Sequence, residues 1–265
     1  MLKSDYLLNL NEKQQEAVLH LDGPLLIVAG AGSGKTKVLT SRIAHIIKNH
    51  KAFSNQILAV TFTNKAAKEM KERVMDLVGG YSERDFYVQT FHSLGARILR
   101  RHAEVLGYKS SFTILDSNDQ KSFMKHLIGK WGWDPKENEA AKVLKYIEKQ
   151  KRNFVLPADL KDKDEPDAKT RRMIKAYTWY QAELKQNNCM DFSDLLFQLL
   201  VLLKQHPDMR EKYESYWKFL LVDEFQDTNY VQLELIRILA GRHKNIFVVG
   251  DDDQSIYSFR GAEVG

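Results

Sequence analysis

A single cysteine, Cys189, stands in a chain of 265 residues. One cysteine excludes an intramolecular disulfide and any cysteine-cluster metal site, and it points to a reducing, cytoplasmic setting. Long apolar runs are also missing, and the longest falls far short of the roughly 20 residues that cross a bilayer as a helix. The start, Met1-Leu2-Lys3-Ser4-Asp5, lacks the apolar stretch of a signal peptide. No internal repeat or low-complexity tract is visible. Acidic residues are in slight deficit, 35 against 40 basic ones. The deficit sits wholly in residues 109–190, which hold 17 Lys+Arg and 12 Asp+Glu, while the remainder holds 23 of each. Such a surplus fits a polyanionic partner or simply a solvated helical surface.

What the chain does have is a 43% apolar fraction, enough for one large or two modest domains. Five short apolar runs read as buried parallel strands: Leu25–Val28, Ile57–Phe62, Tyr87–Phe91, Phe219–Val222 and Ile246–Val249. Helical spacing of apolar residues lies between most of them, at Lys35–Lys48, Lys65–Val78, Ser93–Leu106 and Val231–Ala240. That alternation predicts an α/β domain with a parallel sheet and helices on both faces. Residues 109–190 break the rhythm with long helical patterns, such as Asp119–Trp131 and Lys169–Lys185, and no convincing strand. The expected organisation is therefore one α/β domain formed by 1–108 and 191–265, with a mostly helical subdomain, 109–190, inserted. The four tryptophans, all within 109–217, read as core or subdomain packing. The chain stops at Gly265 with no closing helix, so it reads as a piece of a longer protein.

Two segments carry the chemistry. Ala29-Gly30-Ala31-Gly32-Ser33-Gly34-Lys35-Thr36 follows an apolar strand and opens a helix. This is the make-up of a phosphate-binding loop, whose backbone N–H groups and helix N-terminus face a nucleotide's phosphates. Lys35 would reach the β- and γ-phosphates and the Thr36 hydroxyl would ligate Mg²⁺. The first glycine position of the strict pattern is filled by Ala29. Far downstream, Phe219-Leu220-Leu221-Val222 runs into Asp223 and Glu224, placing two carboxylates at the carboxyl edge of the sheet. Asp223 would hold Mg²⁺ opposite Thr36, and Glu224 would orient and deprotonate the attacking water. A third segment, 249–262, follows another apolar strand. There Gln254 can sense a γ-phosphate, and Tyr257 and Phe259 beside Arg260 suit base stacking on single-stranded nucleic acid, although their spacing alone favours a place in the core.

Taken together these segments resemble the N-terminal part of superfamily 1 DNA helicases of the UvrD/PcrA/Rep type. The resemblance spans nearly the whole chain in the family's motif order: 10–17, 29–36, 61–67, 89–93, 190–195, 222–228 and 250–262. It implies a RecA-like motor domain with a helical insertion, ATP and Mg²⁺ as cofactors, and single-stranded DNA and single-/double-strand junctions as partners. It also implies 3′ to 5′ movement in repair or replication. Gln14 would read the adenine, and Gly30, Ala31, Gly32, Ser33, Gly34 and Lys37 would join Lys35 and Thr36 around the nucleotide. Phe62, Thr63, Asn64, Lys65 and His92 would touch DNA. Gln254 would report the γ-phosphate to Tyr257, Phe259 and Arg260. The insertion would meet duplex or the displaced strand.

From the residues alone, each of these has a plainer reading. Phe62 ends an apolar strand as core residues do, Lys65 suits an exposed helix, His92 suits a structural histidine, and Gln14 suits an exposed position on the first helix. The sequence departs from the family at Lys37, where arginine usually packs on the adenine, at Phe259, where tryptophan is common, and at Phe225 in place of tyrosine. The family completes its site with arginines from a second motor domain, so this chain alone is expected to bind Mg-ATP weakly and turn it over slowly. Two alternatives stay open: the motor part of a helicase–nuclease subunit, and a non-hydrolysing single-strand-binding module.

Overall fold

The computed structural model describes residues 5–136, 139–160 and 167–251. In chain order the elements begin with α1 (Glu12–Leu19), β1 (Leu25–Val28), α2 (Lys35–Lys48), β2 (Ile57–Thr61), α3 (Asn64–Val78) and β3 (Tyr87–Thr90). Next come α4 (Phe91–His102), β4 (Thr113–Leu115), α5 (Ser117–Lys130), α6 (Ala140–Arg152), α7 (Ala168–Gln186) and β5 (Cys189–Asp191). The chain continues with α8 (Asp194–Gln205), α9 (Pro207–Tyr216), β6 (Phe219–Val222), α10 (Tyr230–Ala240) and β7 (Ile246–Gly250). Two compact units result. The described residues of the first fall in 5–94 and 203–251, those of the second in 95–202, and the chain changes unit within α4 and within α8.

The first unit is built on a five-stranded sheet of order β1-β7-β6-β2-β3, parallel at every pairing. The central strands β2 and β6 are buried along their whole length, as continuous apolar runs require. Side chains alternate between faces along a strand. Ile57, Ala59, Phe219, Leu221, Phe247 and Val249 join Leu39, Ile43, Met70 and Val74 of α2 and α3 in one core. Leu58, Val60, Leu220 and Val222 are buried on the other face, where α10 packs against β6. Arg42 is fully buried, its Nη1 donating to the Ala17 carbonyl at 2.6 Å and its guanidinium 4.5 Å above the Phe247 ring, which pins α2 to α1 and to β7.

β1 departs from the expected buried strand. Leu25 and Ile27 pack on the core, but Leu26 and Val28 are 57% and 53% exposed. The strand lies at the end of the sheet order, and residue type does not distinguish an edge from a centre. With all strands parallel, their carboxyl ends share one edge, which carries the loops after β1, β2 and β6 and the residue after β7.

The second unit is mainly helical. Met124, Leu127, Val143, Ile147, Tyr177, Tyr180 and Leu184 of α5, α6 and α7 form its larger core. It also holds strands that the sequence pattern did not show: β4 and β5 pair in parallel, Thr113 opposite Cys189 and Leu115 opposite Asp191. Three residues are too few for an alternation to register. Trp131, Trp133 and Trp179 cluster at centroid distances of 5.2 to 5.8 Å, and Trp131 and Trp133 pack against the larger core. Trp217 belongs to the first unit, buried and stacked on Tyr213.

The turn from β5 into α8 is locked reciprocally. Asp191 N–H donates to Asp194 Oδ2 at 3.1 Å, and Asp194 N–H to Asp191 Oδ1 at 2.8 Å. The buried Lys151 ammonium pairs with both carboxylates, 2.6 Å from Asp191 and 2.8 Å from Asp194. Gln120 and Tyr180 add hydrogen bonds to Asp191 at 3.1 Å each. The same turn leaves Phe192 57% exposed.

Candidate active site

Residues 29–34 join β1 to α2, and the N-terminus of α2 leaves its first backbone N–H groups without intrahelical partners. Gly34 favours glycine: its φ is +85°, which residues with a Cβ rarely adopt, and a Cβ there would sit 3.0 Å from Gln14 Nε2, which would have to give way. Gly30, Ala31, Gly32 and Ser33 are exposed, while Ala29 is half-buried with its N–H donating to the Gly250 carbonyl at 3.1 Å. Lys35 folds back under the loop. Its Nζ donates to the carbonyls of Ala29 and Gly30 at 2.6 and 3.1 Å and pairs with Asp251 Oδ2 at 3.1 Å.

Asp223 and Glu224 follow β6 at the same edge. The Asp223 N–H donates to the Val60 carbonyl, and its carboxylate accepts from the Glu224 N–H at 3.1 Å. Burial, reinforced by the neighbouring Glu224 charge, pushes the Asp223 carboxyl up to about 6, against the pull of the Glu224 N–H and Lys35. Lys35 is thus close enough to act on Asp223 electrostatically as well as on Asp251. Glu224 holds a left-handed backbone, φ 51° and ψ 47°, which a residue with a Cβ seldom adopts. Its Oε2 accepts from Gln226 Nε2 at 2.6 Å. The Gln226 Oε1 in turn accepts from the Asp251 N–H at 3.0 Å.

Gln14 lies beside the loop. Its backbone N–H and side-chain Oε1 form a capping box with Asn11, and its Nε2 donates to the Ser33 carbonyl at 2.8 Å. Lys37 donates from Nζ to the Asn9 carbonyl at 2.5 Å, next to that cap. Thr36 is half-buried in the first turn of α2. A threonine hydroxyl and a carboxylate are hard oxygen donors, and Mg²⁺ takes one or two carboxylates with water and phosphate completing its shell. The residues therefore fit Mg²⁺ held jointly with a nucleotide. Among the described residues no group of three or more His, Cys, Asp or Glu forms a self-sufficient metal site.

The candidate nucleic-acid residues after β2 share this edge. Phe62 is half-buried, edge-on to Phe91 at 5.9 Å. Thr63, Asn64 and Lys65 are exposed at the start of α3, where the Thr63 hydroxyl caps the helix by accepting from Ala66 N–H at 3.1 Å. Lys65 lies 3.9 Å from Glu69. His92 is half-buried at the start of α4, and burial lowers its imidazole to about 4, so it is neutral near pH 7. Gln254, Tyr257, Phe259 and Arg260 lie outside the described residues.

Two groups at the site carried no sequence-based role. Asp251 is the first carboxylate after the apolar strand β7, a position that parallels Asp223 after β6. Gln226 lies within the 222–228 segment that carries the resemblance but was given no role of its own, because a glutamine in a polar turn is common and its two partners are a neighbouring side chain and a backbone N–H 25 residues away.

The family model described as UvrD/REP helicase N-terminal domain matches residues 10–265. The chain is 45% identical over 255 residues to an ATP-dependent DNA helicase PcrA of Leuconostoc citreum, covering 96% of this chain and 34% of that protein. It is 44% identical over 256 residues to the protein of the same name from Staphylococcus aureus strain Mu50, covering 97% and 35%. The chain thus spans about a third of the length of these curated relatives. No helix among the described residues is long and apolar enough to cross a membrane.

Proposed function

The chain belongs to the UvrD/REP helicase family, and from that premise we propose that it is the first motor domain of an ATP-dependent DNA translocase, with residues 109–190 as its inserted helical subdomain. The observation that supports this most is the meeting of Lys35, Asp223, Glu224 and Asp251 at the edge of the sheet where the phosphate loop opens. Lys35 binds the β- and γ-phosphates, exchanging the Asp251 carboxylate for them. Thr36 and Asp223 hold Mg²⁺, which when bound neutralises charge developing on the transferred phosphoryl group. Glu224 orients the attacking water and takes its proton on a carboxylate oxygen. Gln14 and Lys37 border the base, with Lys37 giving a point charge where an arginine would give a stacking plane.

Single-stranded DNA lies along Phe62, Thr63, Asn64, Lys65 and His92 on the same edge; by the resemblance, Tyr257, Phe259 and Arg260 also contact DNA and Gln254 senses the γ-phosphate. The longer protein steps 3′ to 5′ on DNA, acts at single-/double-strand junctions in repair or replication, and completes the ATP site with arginines of a second motor domain. Such arginines contribute about 10³ to 10⁵ in rate, so the chain by itself turns ATP over slowly. The test is DNA-stimulated ATP hydrolysis by the full-length protein. Glu224→Gln should keep binding of a fluorescent ATP analogue and abolish turnover; sustained turnover would remove Glu224 from its role. Unwinding of a 3′-tailed but not a 5′-tailed duplex checks the direction.

A further inference from the structure

We propose that Trp131, Trp133 and Trp179 form a stacking site for an unpaired nucleic-acid strand on the second unit, with Lys175 and its neighbours on α7 holding the strand's phosphates. The inference rests on the reading of DNA as the chain's ligand. Three of the chain's four tryptophans meet here. Trp131 caps the end of α5, Trp133 follows it, and Trp179 comes from α7. All three rings are half-buried, with centroids 5.2 to 5.8 Å apart. Trp131 and Trp133 pack against the larger core, and Trp179 lies on those two rings rather than in that core. Large apolar rings left together in contact with solvent mark an interaction surface.

The charge around the rings selects the occupant. From 168 to 182, α7 holds Lys169, Arg171, Arg172 and Lys175 and no Asp or Glu. Arg172, Lys175 and Trp179 follow one another at spacings of three and four, which sets them on one face of the helix. Lys175 Nζ lies 4.3 Å from the Trp179 ring centroid and Arg172 Cζ 5.8 Å from that of Trp133. Rings beside cations suit an unpaired strand, whose bases stack on the rings while its phosphates meet the cations. A duplex keeps its base faces inside its own stack, and an acidic peptide brings charge but few planar groups for the indoles. The Lys175 ammonium over the Trp179 ring is no obstacle. A cation–π contact at an exposed position is weak beside a stacked base with a phosphate contact added. The base takes the ring, and the ammonium on its flexible stem moves to the adjoining phosphate. A strand held here and on the first unit at once is held more tightly than by either alone, because each site raises the effective concentration at the other.

The experiment uses the full-length protein and labelled oligo-dT, with Kd read by anisotropy at several salt concentrations and the melting temperature read for each variant. Trp179→Leu keeps an apolar side chain but no ring, Trp179→Phe keeps a ring, and Lys175→Gln removes the cation. Phe62→Ala/Asn64→Ala serves as the reference on the first unit. Trp179→Leu should weaken binding by roughly 5- to 150-fold, the effect of one stacked base, with the melting temperature unchanged. Trp179→Phe should recover most of that loss. Lys175→Gln should weaken binding less and lower the salt slope by about 0.7, as for one single-strand phosphate. Quenching of tryptophan emission by oligo-dT should survive in Phe62→Ala/Asn64→Ala and shrink in Trp179→Leu. If Trp179→Leu binds as wild type while Phe62→Ala/Asn64→Ala does not bind, the proposal is overturned and the reading of DNA as ligand stands. If Trp179→Phe binds as poorly as Trp179→Leu and both melt lower, the rings only pack and the proposal also fails. If the wild-type protein binds no oligo-dT at low salt, the underlying reading fails and takes the proposal with it.

Discussion

Lys35 and Asp251 form a buried ion pair 3.1 Å long, with side chains 10% and 1% exposed, at the point where a nucleotide's phosphates would arrive. The pair keeps a cation ready under the loop, since Lys35 also satisfies the Ala29 and Gly30 carbonyls. Taking away one partner of a buried pair leaves the other uncompensated, at a cost of about 3–5 kcal/mol. Lys35→Met is therefore expected to destabilise the nucleotide-free protein by up to that amount and, on the proposed reading, to abolish ATP binding. Asp251→Asn should cost less, because the lysine keeps both carbonyls. Urea denaturation of the two variants decides it; equal losses would mean that the pair is not the dominant interaction.

Asp223 makes the same edge sensitive to acid. Its carboxyl is raised to about 6, chiefly by burial, from an ordinary value of 3.8. Between about pH 4 and pH 6 the folded protein retains a proton that the unfolded chain has released, so this group's contribution falls as pH rises through that window. Above it the charged, buried Asp223 costs about 3 kcal/mol. Asp223→Asn should be more stable than wild type by up to that amount at pH 7.5 and indistinguishable from it near pH 4. A constant difference across the range, followed by chemical denaturation, would show that the carboxyl is not raised.

How far the sequence carried is clear from these residues. The strand–loop–helix around Lys35 and the carboxylates after β6 were legible because their chemistry dictates their order: apolar strand, glycines, cation, hydroxyl. The five strands of the first unit and its helices α2, α3 and α10 lie within one residue of where hydrophobic period placed them, whereas α4 ends at His102, four residues before the expected Leu106, and α1 and α9 were not among the helices it placed. Geometry between distant residues was not legible. Nothing in the pattern joins Lys35 to Asp251, or pairs Lys151 with Asp191 and Asp194, because a buried charge is written with the same letter as a solvated one. The three-residue strands β4 and β5 were invisible for lack of length, and the exposed face of β1 for lack of any compositional mark of an edge.

Gln89 should be replaceable at a gain. It lies within β3, 5% exposed, and neither its side-chain nitrogen nor its oxygen finds a hydrogen-bond partner among the described residues. An unsatisfied buried amide costs about 1–3 kcal/mol. Gln89→Leu, similar in size, is expected to raise stability by roughly that much, seen as a higher urea midpoint with an unchanged slope. A lower midpoint would reveal a partner for the amide.

The second unit depends on Lys151 in the opposite sense. Lys151→Met leaves Asp191 and Asp194 facing each other without their cation, and the Asp194 carboxyl is already held above its ordinary value, first by burial and then by Asp191. The expected loss is about 3–5 kcal/mol near neutral pH, shrinking at lower pH as the raised Asp194 carboxyl takes up a proton. Loss of stability that grows on acidification would contradict this account of the cluster.

The proposed nucleic-acid face gives a prediction that separates stacking from charge. Phe62 and the exposed Asn64 lie at the start of α3, whose N-terminus favours phosphate. Stacking of one base on an aromatic ring contributes about 1–3 kcal/mol, so Phe62→Ala/Asn64→Ala should weaken binding of labelled oligo-dT by roughly 5- to 150-fold at one salt concentration and leave the salt slope unaltered. Lys65→Ala should weaken it less and flatten the dependence of log K on log salt by about 0.7, the release from one single-strand phosphate. Burial keeps His92 neutral from pH 6 to 8, since its imidazole is lowered to about 4. His92→Asn should therefore leave the pH dependence of binding over that range untouched. A wild-type affinity that falls steeply from pH 6 to 8, and a variant that does not, would instead make His92 a charged contact, exposed and protonated when DNA is bound.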